Sequence, residues 1–271
     1  MAWIQKPPMG TPLIPGHPQL DGLVGWWLFQ EGSGDRVNDL SGNGNMGTLN
    51  NFVFPPTASS GWNPGKFGRA LVFDGASDFM ETADISMENA QTILAWIRKE
   101  DAGGTGIILG KGNGATTDQV LFGWVTSSRL RYYLNSTGGG TGYQLASYTW
   151  SPDTNFYHIG ATWNGNDTMQ IYVDGFPVGT TATIASVYNS ANPVTLGRYG
   201  SFDGHYFDGF IDDVRIYNRC LTQSEIRDVM QRPFAAFATM DIAMLAQLAN
   251  LMAMERSISR RVHGRVFGRV N

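Results

Sequence analysis

The sequence predicts an all-β protein whose antiparallel strands form either a two-layer sandwich or a closed barrel. Glycine supplies 34 of the 271 residues, aromatic residues make up 12% and charged residues 15%, against roughly 25% charged in an average globular protein. From residue 22 to 216, β-branched and aromatic runs alternate with clusters of Gly, Asn, Asp and Ser. A single open sheet of this size would leave one apolar face in water, so the strands must form two layers or close on themselves.

The apolar runs define the individual strands, and turn residues separate them. The candidate strands are 24–29, 70–73, 79–81, 91–98, 106–111, 119–125, 129–134, 156–163, 169–173, 176–180, 194–198 and 209–217. Asp174-Gly175 joins two of them, and this pair tolerates the positive φ values of a tight type I′ hairpin. Residues 40–45, with the sequence LSGNGN, are predicted to form a loop for the same reason.

The first 20 residues contain five prolines, which block both a helix and a central strand and predict an extended arm. Two interpretations stay open. The arm is either a disordered leader or a clamp on a neighbouring subunit, because Trp3, Ile4, Leu13 and Ile14 give it apolar surface to bury.

Two helices are predicted near the end of the chain. Thr222 precedes Glu225 by three residues, which is the spacing of a capping box, and the short helix that follows ends before Pro233. A second helix, 240–256, is apolar on nearly its whole circumference. It must therefore pack on this domain, on copies of itself or on another protein.

Four stretches of sequence carry a family resemblance in their order and spacing. They are GLVGWWLFQEGSGDRVNDLSGNGNMGTL at 22–49, PGKFGRALVFDGASDFME at 64–81, IYVDGFPVG at 171–179 and FDGFIDDVRIYNRCLTQSEI at 207–226. Together they resemble laminin-G-like (concanavalin A-like lectin/glucanase) jelly-roll domains. The resemblance implies two packed antiparallel sheets in which the first and last strands are neighbours. It divides the chain into an arm at 1–20, a jelly roll at 21–232 and an assembly segment at 233–271.

The fold of that family also hosts glycoside hydrolases, which need two carboxyl groups ~5–10 Å apart. The resemblance implies alternating acids on one strand, in a Glu-x-Asp-x-Glu arrangement, and the sequence has no such run. Glu81, Asp84 and Glu88 come closest, but their spacing does not place three side chains on one strand face. We therefore predict a protein that is not an enzyme.

A calcium site is implied by the same resemblance, between the loop after the first strand and the acidic start of the last strand. Strand alternation from Val214 places Asp212 on the core side, where an uncompensated carboxylate is costly. Calcium is one way to neutralise it, and N–H groups of the 38–45 loop, Arg215 or Arg36 are the alternatives. The candidate calcium ligands are Asp35, Asp39, Asn43 and Asp212.

Sugar binding is common in this fold, and exposed aromatic side chains stack on sugar rings. The opposing interpretation is that aromatic residues of a sandwich pack its core. The candidate glycan-binding residues are Trp124, Tyr143, Trp150 and Tyr206.

The assembly segment has a composition of its own. Residues 239–271 carry a net charge of +3 against −4 for the whole chain, so residues 1–238 carry −7. Val262, Val266 and Val270 alternate as in an added β-strand, which favours docking on an acidic protein surface over binding to nucleic acid. The residues expected to attach the chain are Ile242, Leu245, Leu248, Leu251, Met252, Arg260, Arg261, Arg265 and Arg269.

A leader with Lys6-Pro7-Pro8 and His17-Pro18 runs directly into GLVGWW, and Pro233-Phe234 follows the short helix. These terminal segments resemble those of laminin-G-like proteins of tailed bacteriophages. The primary prediction is a non-enzymatic virion structural protein, a capsid decoration or accessory protein, which associates with other virion proteins and with itself. The alternative is a carbohydrate-binding or adhesion module of a phage tail or cell surface, with a host-surface glycan as ligand. No Sec-type signal and no stretch of ~20 apolar residues is present, so the expected location is the virion, without membrane contact.

Overall fold

The computed structural model describes residues 5–101, 104–113, 117, 119–126, 128–138, 142–200 and 204–238. These ranges contain sixteen β-strands and one α-helix. The predicted helix 240–256 and the basic tail lie outside the described residues. The strands are β1 (Leu23–Trp27), β2 (Arg36–Val37), β3 (Gly47–Asn50), β4 (Gly61–Gly65), β5 (Gly68–Asp74), β6 (Phe79–Glu81), β7 (Gln91–Lys99), β8 (Gly106–Lys111), β9 (Val120–Thr126), β10 (Arg129–Asn135), β11 (Tyr143–Thr149), β12 (Tyr157–Trp163), β13 (Thr168–Val173), β14 (Phe176–Thr183), β15 (Val194–Leu196) and β16 (Asp208–Tyr217), and the helix is α1 (Gln223–Gln231).

All strand pairs are antiparallel, and the strands form two layers, as predicted. The first sheet has the order β4-β5-β16-β7-β12-β13-β14, with β1 also beside β16. The second has the order β2-β3-β6-β15-β8-β9-β10-β11, and β14 joins the two where Thr180 pairs with Ser147. The first and last strands are neighbours, with Trp26 opposite Arg215, which confirms the expected jelly-roll arrangement.

The main core lies between the two sheets and follows from the alternation of side chains along each strand. On β7 of the first sheet, Ile93, Ala95 and Ile97 are fully buried in this core. Phe122 on β9 and Leu130 on β10 are fully buried in the same cluster from the opposite sheet. At ~25 cal/mol per Å² of apolar surface removed from water, this cluster is the dominant stabilising contribution.

A second core covers the outer face of the first sheet. Leu94 and Trp26 point to this side, where they meet Ile226 of α1 and Phe237. The Trp26 and Phe237 ring centroids are 5.2 Å apart. The part of this outer face formed by β1, β7 and the end of β16 is therefore covered by α1 and by the segment that follows it.

The described part of the N-terminal arm packs on this same face. The Ile14 N–H donates to the Ala236 carbonyl at 2.8 Å, and the Ala238 N–H donates to the Pro12 carbonyl at 2.9 Å. An isolated antiparallel bridge joins Leu13 to Phe237. The described part of the arm is therefore paired with the terminal segment of its own chain, and contact with a neighbouring subunit stays a prediction.

Local predictions for α1 and for the β13–β14 hairpin are confirmed. Thr222 Oγ1 accepts from the Glu225 N–H at 3.3 Å, and the Glu225 carboxylate accepts from the Thr222 N–H at 2.7 Å, which completes the capping box. Asp174 and Gly175 have φ values of 48° and 74°, as a type I′ turn requires. Within the described ranges, no helix has the length and apolar character needed to cross a membrane.

Four strands were not predicted from the sequence. β2 and β3 are only two and four residues long, and β4 contains Pro64 and two glycines, which only an edge strand tolerates. β11 has exposed or half-buried residues on both faces except for Ala146, so it lacks the clear apolar alternation that marks the other strands.

Candidate functional site

Asp39 organises the 40–45 loop at one end of the sandwich. Its Oδ1 atom accepts from the backbone N–H groups of Trp26 and Ser41, both at 2.9 Å. Its Oδ2 atom accepts from the Asn45 N–H and the Ser41 hydroxyl, both at 2.8 Å. Gly42 and Gly44 have φ values of 85° and 77°, in the left-handed region that favours glycine. One carboxylate thus fixes the loop against β1.

Two asparagine side chains of this loop are held by backbone carbonyls of β1. Asn45 Nδ2 donates to the Val24 carbonyl at 2.8 Å. Asn43 Nδ2 donates to the Leu23 carbonyl at 3.2 Å. Because the amide nitrogens are used in these contacts, the orientation of both side chains is fixed, and their oxygens remain as acceptors for a ligand.

Residues 84–91 form the facing wall, and Lys111 of β8 holds it in place. The Lys111 ammonium is fully buried and donates to Asp84 Oδ1 at 2.5 Å and to the Ile85 carbonyl at 2.7 Å. Burial lowers the pKa of Lys111, and the Asp84 carboxylate opposes that shift. The wall is therefore anchored by a charge pair, which leaves Asp84 neutralised.

Gln91, the first residue of β7, completes this wall from the inside. Its side chain is 1% exposed, and its Nε2 atom donates to the Met87 carbonyl at 3.2 Å. Within the described residues, Gln91 Oε1 has no hydrogen-bond donor. An unpaired buried acceptor costs ~1–3 kcal/mol, so a ligand or water that donates to this atom would recover that free energy.

Between the two walls lies a cavity of about 270 Å³, which we call the amide pocket. This volume is at the small end of the ~300–1,000 Å³ range of ligand sites and suits a single small ring. The side chains around it are mostly uncharged and polar, with an apolar floor. The lining residues are Val24, Asn43, Asn45, Asp84, Ile85, Ser86, Met87, Asn89, Ala90, Gln91 and Asn218.

Asp212 does not face the inter-sheet core, contrary to the prediction. A register shift separates Asp212 from Arg215, and Asp213 between them has a φ of 45°. This bulge breaks the alternation with Val214, so Asp212 lies opposite Trp96 on the outer face of the first sheet. It is fully buried there by the N-terminal arm, whose Lys6 forms an ion pair with its Oδ1 atom.

Three of the four candidate calcium ligands have other partners. Asp39 accepts four hydrogen bonds from its own loop, Asn43 binds β1, Asp35 is exposed, and Asp212 pairs with Lys6. Across the residues that the structure describes, no group of three or more His, Cys, Asp or Glu side chains could hold a metal ion. Calcium binding stays a prediction, without a preformed set of ligands to carry it.

Two of the four aromatic candidates belong to the core region. Trp124 is fully buried, and its Nε1 atom donates to the Trp150 carbonyl at 3.0 Å, so it cannot contact a sugar. The partly buried Trp150 ring packs against Trp124 at 5.6 Å and against Tyr157 at 4.9 Å. Strand alternation turns Trp124 inward. For this residue, the interpretation that aromatic side chains pack the core is therefore the correct one.

The other two aromatic candidates are half-buried. Tyr143 lies on the outer face of the second sheet, with its ring 6.3 Å from that of Tyr133. Tyr206 lies in the segment before β16 and does not line the amide pocket. The candidate attachment residues, from Ile242 to Arg269, lie outside the described residues.

The amide pocket was missed at the sequence level. The sequence predicts a loop at 40–45, with Asn43 as a calcium candidate, and Asn218 lies in a stretch that carries the family resemblance, but Asn89 and Gln91 stand in no motif. The signal available was the repeated Asn of NGN beside an aspartate that can accept several backbone N–H groups. Nothing in the sequence brings residues 43, 91 and 218 together, because only the pairing of β1 with β16 and of β16 with β7 does so.

Comparisons with known proteins agree with this architecture. Domain 4 of AbnA, an extracellular arabinanase of Geobacillus stearothermophilus solved with arabinotriose, is 20% identical, with a TM-score of 0.58 over 77% of this chain and 98% of that domain. The binding domain of Paraclostridial Mosquitocidal Protein 1 is 16% identical, with a TM-score of 0.60. The ligand-binding domain of botulinum neurotoxin serotype D, solved with N-acetylneuraminic acid, is 11% identical, with a TM-score of 0.59.

These likenesses show the fold. The alignments cover 80% and 78% of this chain, but only 53% and 51% of the mosquitocidal and botulinum chains. No curated protein matches the chain in sequence. The family model described as the concanavalin A-like lectin/glucanases superfamily matches residues 74–227, from the end of β5 into α1. The chain therefore belongs to the concanavalin A-like lectin/glucanases superfamily, in its laminin-G-like branch.

Proposed function

We propose that the chain is a non-enzymatic carbohydrate-binding domain that holds a neutral sugar in the amide pocket. The observation that carries the proposal is the lining of the amide pocket, in which four asparagines stand beside Gln91, whose buried Oε1 atom has no donor among the described residues. Sugar hydroxyls are both donors and acceptors, and amide side chains offer both functions. A hydroxyl that donates to Gln91 Oε1 would satisfy an atom that the protein leaves without a donor.

The charges around the amide pocket favour a neutral ligand over an ionic one. Asp84 is the charged residue in its lining, and Lys111 neutralises it from below. The floor formed by Val24, Ile85 and Met87 offers apolar surface to the C–H groups of a ring. The similar folds solved with arabinotriose and with N-acetylneuraminic acid support a sugar ligand, although they are distant in sequence.

Glu81, Asp84 and Glu88 are the carboxylates that come closest to a hydrolytic arrangement, and their surroundings favour a binding role. Glu81 pairs with Arg198, and Asp84 pairs with Lys111. A hydrogen bond from Ser86 lowers the pKa of Glu88, whereas the general acid of a glycosidase needs a raised pKa. None of these three groups has the environment of a proton donor to a leaving group.

Calorimetric titration of the full chain with a panel of neutral mono- and oligosaccharides tests the proposal. We expect Gln91→Met, which keeps the length of the side chain but removes the amide, to weaken binding at least about tenfold. Asn89→Ala should also weaken it. Asn166→Ala is the matched control, because Asn166 is exposed in the β12–β13 turn, away from the pocket lining.

The binding proposal is wrong if no neutral saccharide binds at millimolar concentration, or if Gln91→Met and Asn89→Ala bind like the control. The non-enzymatic part has a separate readout. Release of reducing ends from the bound saccharide by the wild-type chain, lost in Glu81→Gln, would show a hydrolase.

A second candidate function is display on a tailed-phage virion, as a capsid decoration or accessory protein attached through residues 239–271. The supporting observation is that the N-terminal arm and the 233–238 segment meet at Leu13 and Phe237. Both segments pack on the outer face of the first sheet, so attachment through residues 239–271 would begin from that face.

A truncation after residue 238 tests this second function, because it keeps every described contact of the terminal segment. Particles purified from the phage that encodes the chain should retain the full-length protein and lose the truncated form. Sedimentation should show self-association of the full chain only. Equal retention and equal sedimentation of the two forms would exclude attachment through residues 239–271.

A further inference from the structure

The outer face of the second sheet carries a group of side chains that the amide pocket does not use. On β10, Leu130 and Tyr132 point into the core, so the odd-numbered residues point outward. Arg131 lies opposite Ser147 of β11, and Tyr133 lies opposite Leu145. We call this surface the Arg131 face, defined by Arg129, Arg131, Tyr133, Tyr143, Leu145 and Ser147.

The charge on the Arg131 face has one sign. From residue 119 to 152, Arg129 and Arg131 are the charged residues, and the stretch has no Asp, Glu or Lys. β14, which continues this sheet beyond β11, has no charged residue either. Within the described part of the chain, neither arginine forms a salt bridge. Two positive charges therefore lack an acidic partner on this surface.

The Arg131 guanidinium is partly held in place by its neighbour. Its Nη1 atom donates to the Tyr133 hydroxyl at 2.6 Å, and the guanidinium carbon lies 5.8 Å from the centre of the Tyr133 ring. Its Nε atom is buried and has no acceptor among the described residues. A guanidinium presents its donors as a planar fork that matches a carboxylate, so Arg131 is oriented but incompletely satisfied.

Tyr143 and Leu145 of β11 form an apolar surface on the strand next to Arg131. The Tyr143 ring meets that of Tyr133 edge to face, with centroids 6.3 Å apart and an interplanar angle of 85°. Leu145, beside Tyr143 on the same strand face, is 38% exposed. An aromatic ring and an exposed leucine offer surface to the C–H face of a sugar, while the guanidinium on the neighbouring strand offers charge.

We propose that the Arg131 face binds an acidic saccharide, with the carboxylate on Arg131 and the sugar ring against Tyr143 and Leu145. The charge on this face favours such a ligand over the neutral sugar of the amide pocket, so the two sites differ in ligand class. This second site stands independently of the first, because the two share no residue.

Titration with an oligosaccharide of galacturonic acid, and with the neutral galactose oligomer of equal length, tests the proposal. The acidic probe should bind the full chain at least about tenfold more tightly than the neutral one. Arg131→Gln should remove most of that preference, and Tyr143→Ala should weaken binding of the acidic probe. Arg69→Gln is the matched control for charge, because Arg69 is exposed on β5 of the other sheet.

Three results would overturn the proposal. The first is equal binding of the two probes by the wild-type chain. The second is loss of acidic-probe binding in Arg69→Gln as large as in Arg131→Gln. The third is equally tight binding of single-stranded DNA or a poly-glutamate peptide, which would show a non-specific basic surface. Gln91→Met should leave the acidic probe bound, so failure of this site and failure of the amide pocket are distinguishable.

Discussion

Lys6 forms an ion pair with the fully buried Asp212, 206 residues further along the chain. The Lys6 ammonium also donates to the Phe29 carbonyl at 3.2 Å, which ties the N-terminal arm to the end of β1. Burial raises the pKa of Asp212 to about 6, although Lys6 opposes the shift. The arm thus supplies the countercharge that the sequence assigned to calcium or to an arginine.

Lys6→Met should destabilise the protein strongly, because it leaves the Asp212 carboxylate buried without its countercharge. Breaking a buried pair from one side costs ~3–5 kcal/mol in free energy of unfolding. Urea denaturation measures this loss. Adding Asp212→Asn to Lys6→Met should restore part of it, since the remaining group is then neutral.

Lys66→Met is the control for Lys6→Met. Lys66 is exposed, and its ammonium lies 4.8 Å above the Trp96 ring, so its removal should cost no more than ~1 kcal/mol. Equal losses in the two variants would contradict a structural role for the Lys6–Asp212 pair.

Asp78→Asn should stabilise the protein near neutral pH. The Asp78 side chain is fully buried near the Ser60 hydroxyl, but neither carboxylate oxygen has a well-aligned donor in the described structure. Burial raises the pKa of Asp78 from 3.8 to about 6, so the folded state takes up a proton before the unfolded chain does. In the wild type, the contribution of Asp78 to the free energy of unfolding therefore increases as the pH falls from 6 to 3.8 and is lost above pH 6.

The gain from Asp78→Asn should be roughly 1–3 kcal/mol at about pH 7 and should disappear near pH 4. Asp74→Asn is the matched control, because the pKa of Asp74 is shifted in the opposite direction to that of Asp78. Burial raises the pKa of Asp74, but hydrogen bonds from the N–H groups of Ser77, Asp78 and Ala76 outweigh it and lower the pKa overall. Its contribution is present above pH 3.8 and is lost as the pH falls. If the free energy of unfolding changed with pH in the same way in the two variants, the opposite pKa shifts of Asp78 and Asp74 would be wrong.

Phe237→Ala should detach the arm as well as destabilise the fold. Phe237 is 2% exposed, packs on Trp26 and bridges Leu13. Removing a buried phenylalanine costs ~3–5 kcal/mol. Limited proteolysis should then cleave within residues 5–16, which the wild type protects. Met9→Ala, on the exposed side of the same arm, should change neither stability nor cleavage.

Calcium should leave the melting temperature of chelator-treated protein unchanged at millimolar concentration. The reason is that Asp39 and Asp212, the two buried or half-buried carboxylates of the predicted site, already have donors. Calorimetric titration provides the second readout. Heat of binding together with a higher melting temperature would restore the calcium prediction and place its ligands elsewhere.

The sequence predicted the layers of the fold better than it predicted the site. The ranges predicted for β7, β9 and β16 lie close to the observed strands, because each is a run of mostly apolar residues; Ile93, Phe122 and Ile211 are among those that pack in the core. Residues of β11 carry no such pattern, so the sequence predicted no strand there. Its outward residues, Tyr143 among them, form part of the Arg131 face.

Asp212 shows why a residue pattern can assign the wrong face. The prediction assumed that side chains alternate between the two faces of β16 without interruption from Val214 back to Asp212. The left-handed conformation of Asp213 interrupts this alternation, so Asp212 lies on the other face. Gln91 shows a different limit. A buried amide in a strand looks unremarkable in sequence, and only the packed structure shows which of its atoms lacks a partner.

The pairing of β1 with β16 and of Lys6 with Asp212 also joins parts of the chain that are far apart in sequence, and such contacts are expected to form late in folding. The hairpins β9–β10–β11 and β12–β13–β14 close over short loops, whereas the arm and β1 must wait for strands synthesised some 200 residues later. During synthesis, Trp26 and the arm therefore stay uncovered until β16 and Phe237 have left the ribosome. The central hairpins should gain amide-exchange protection first and the two ends of the chain last, in a single late step.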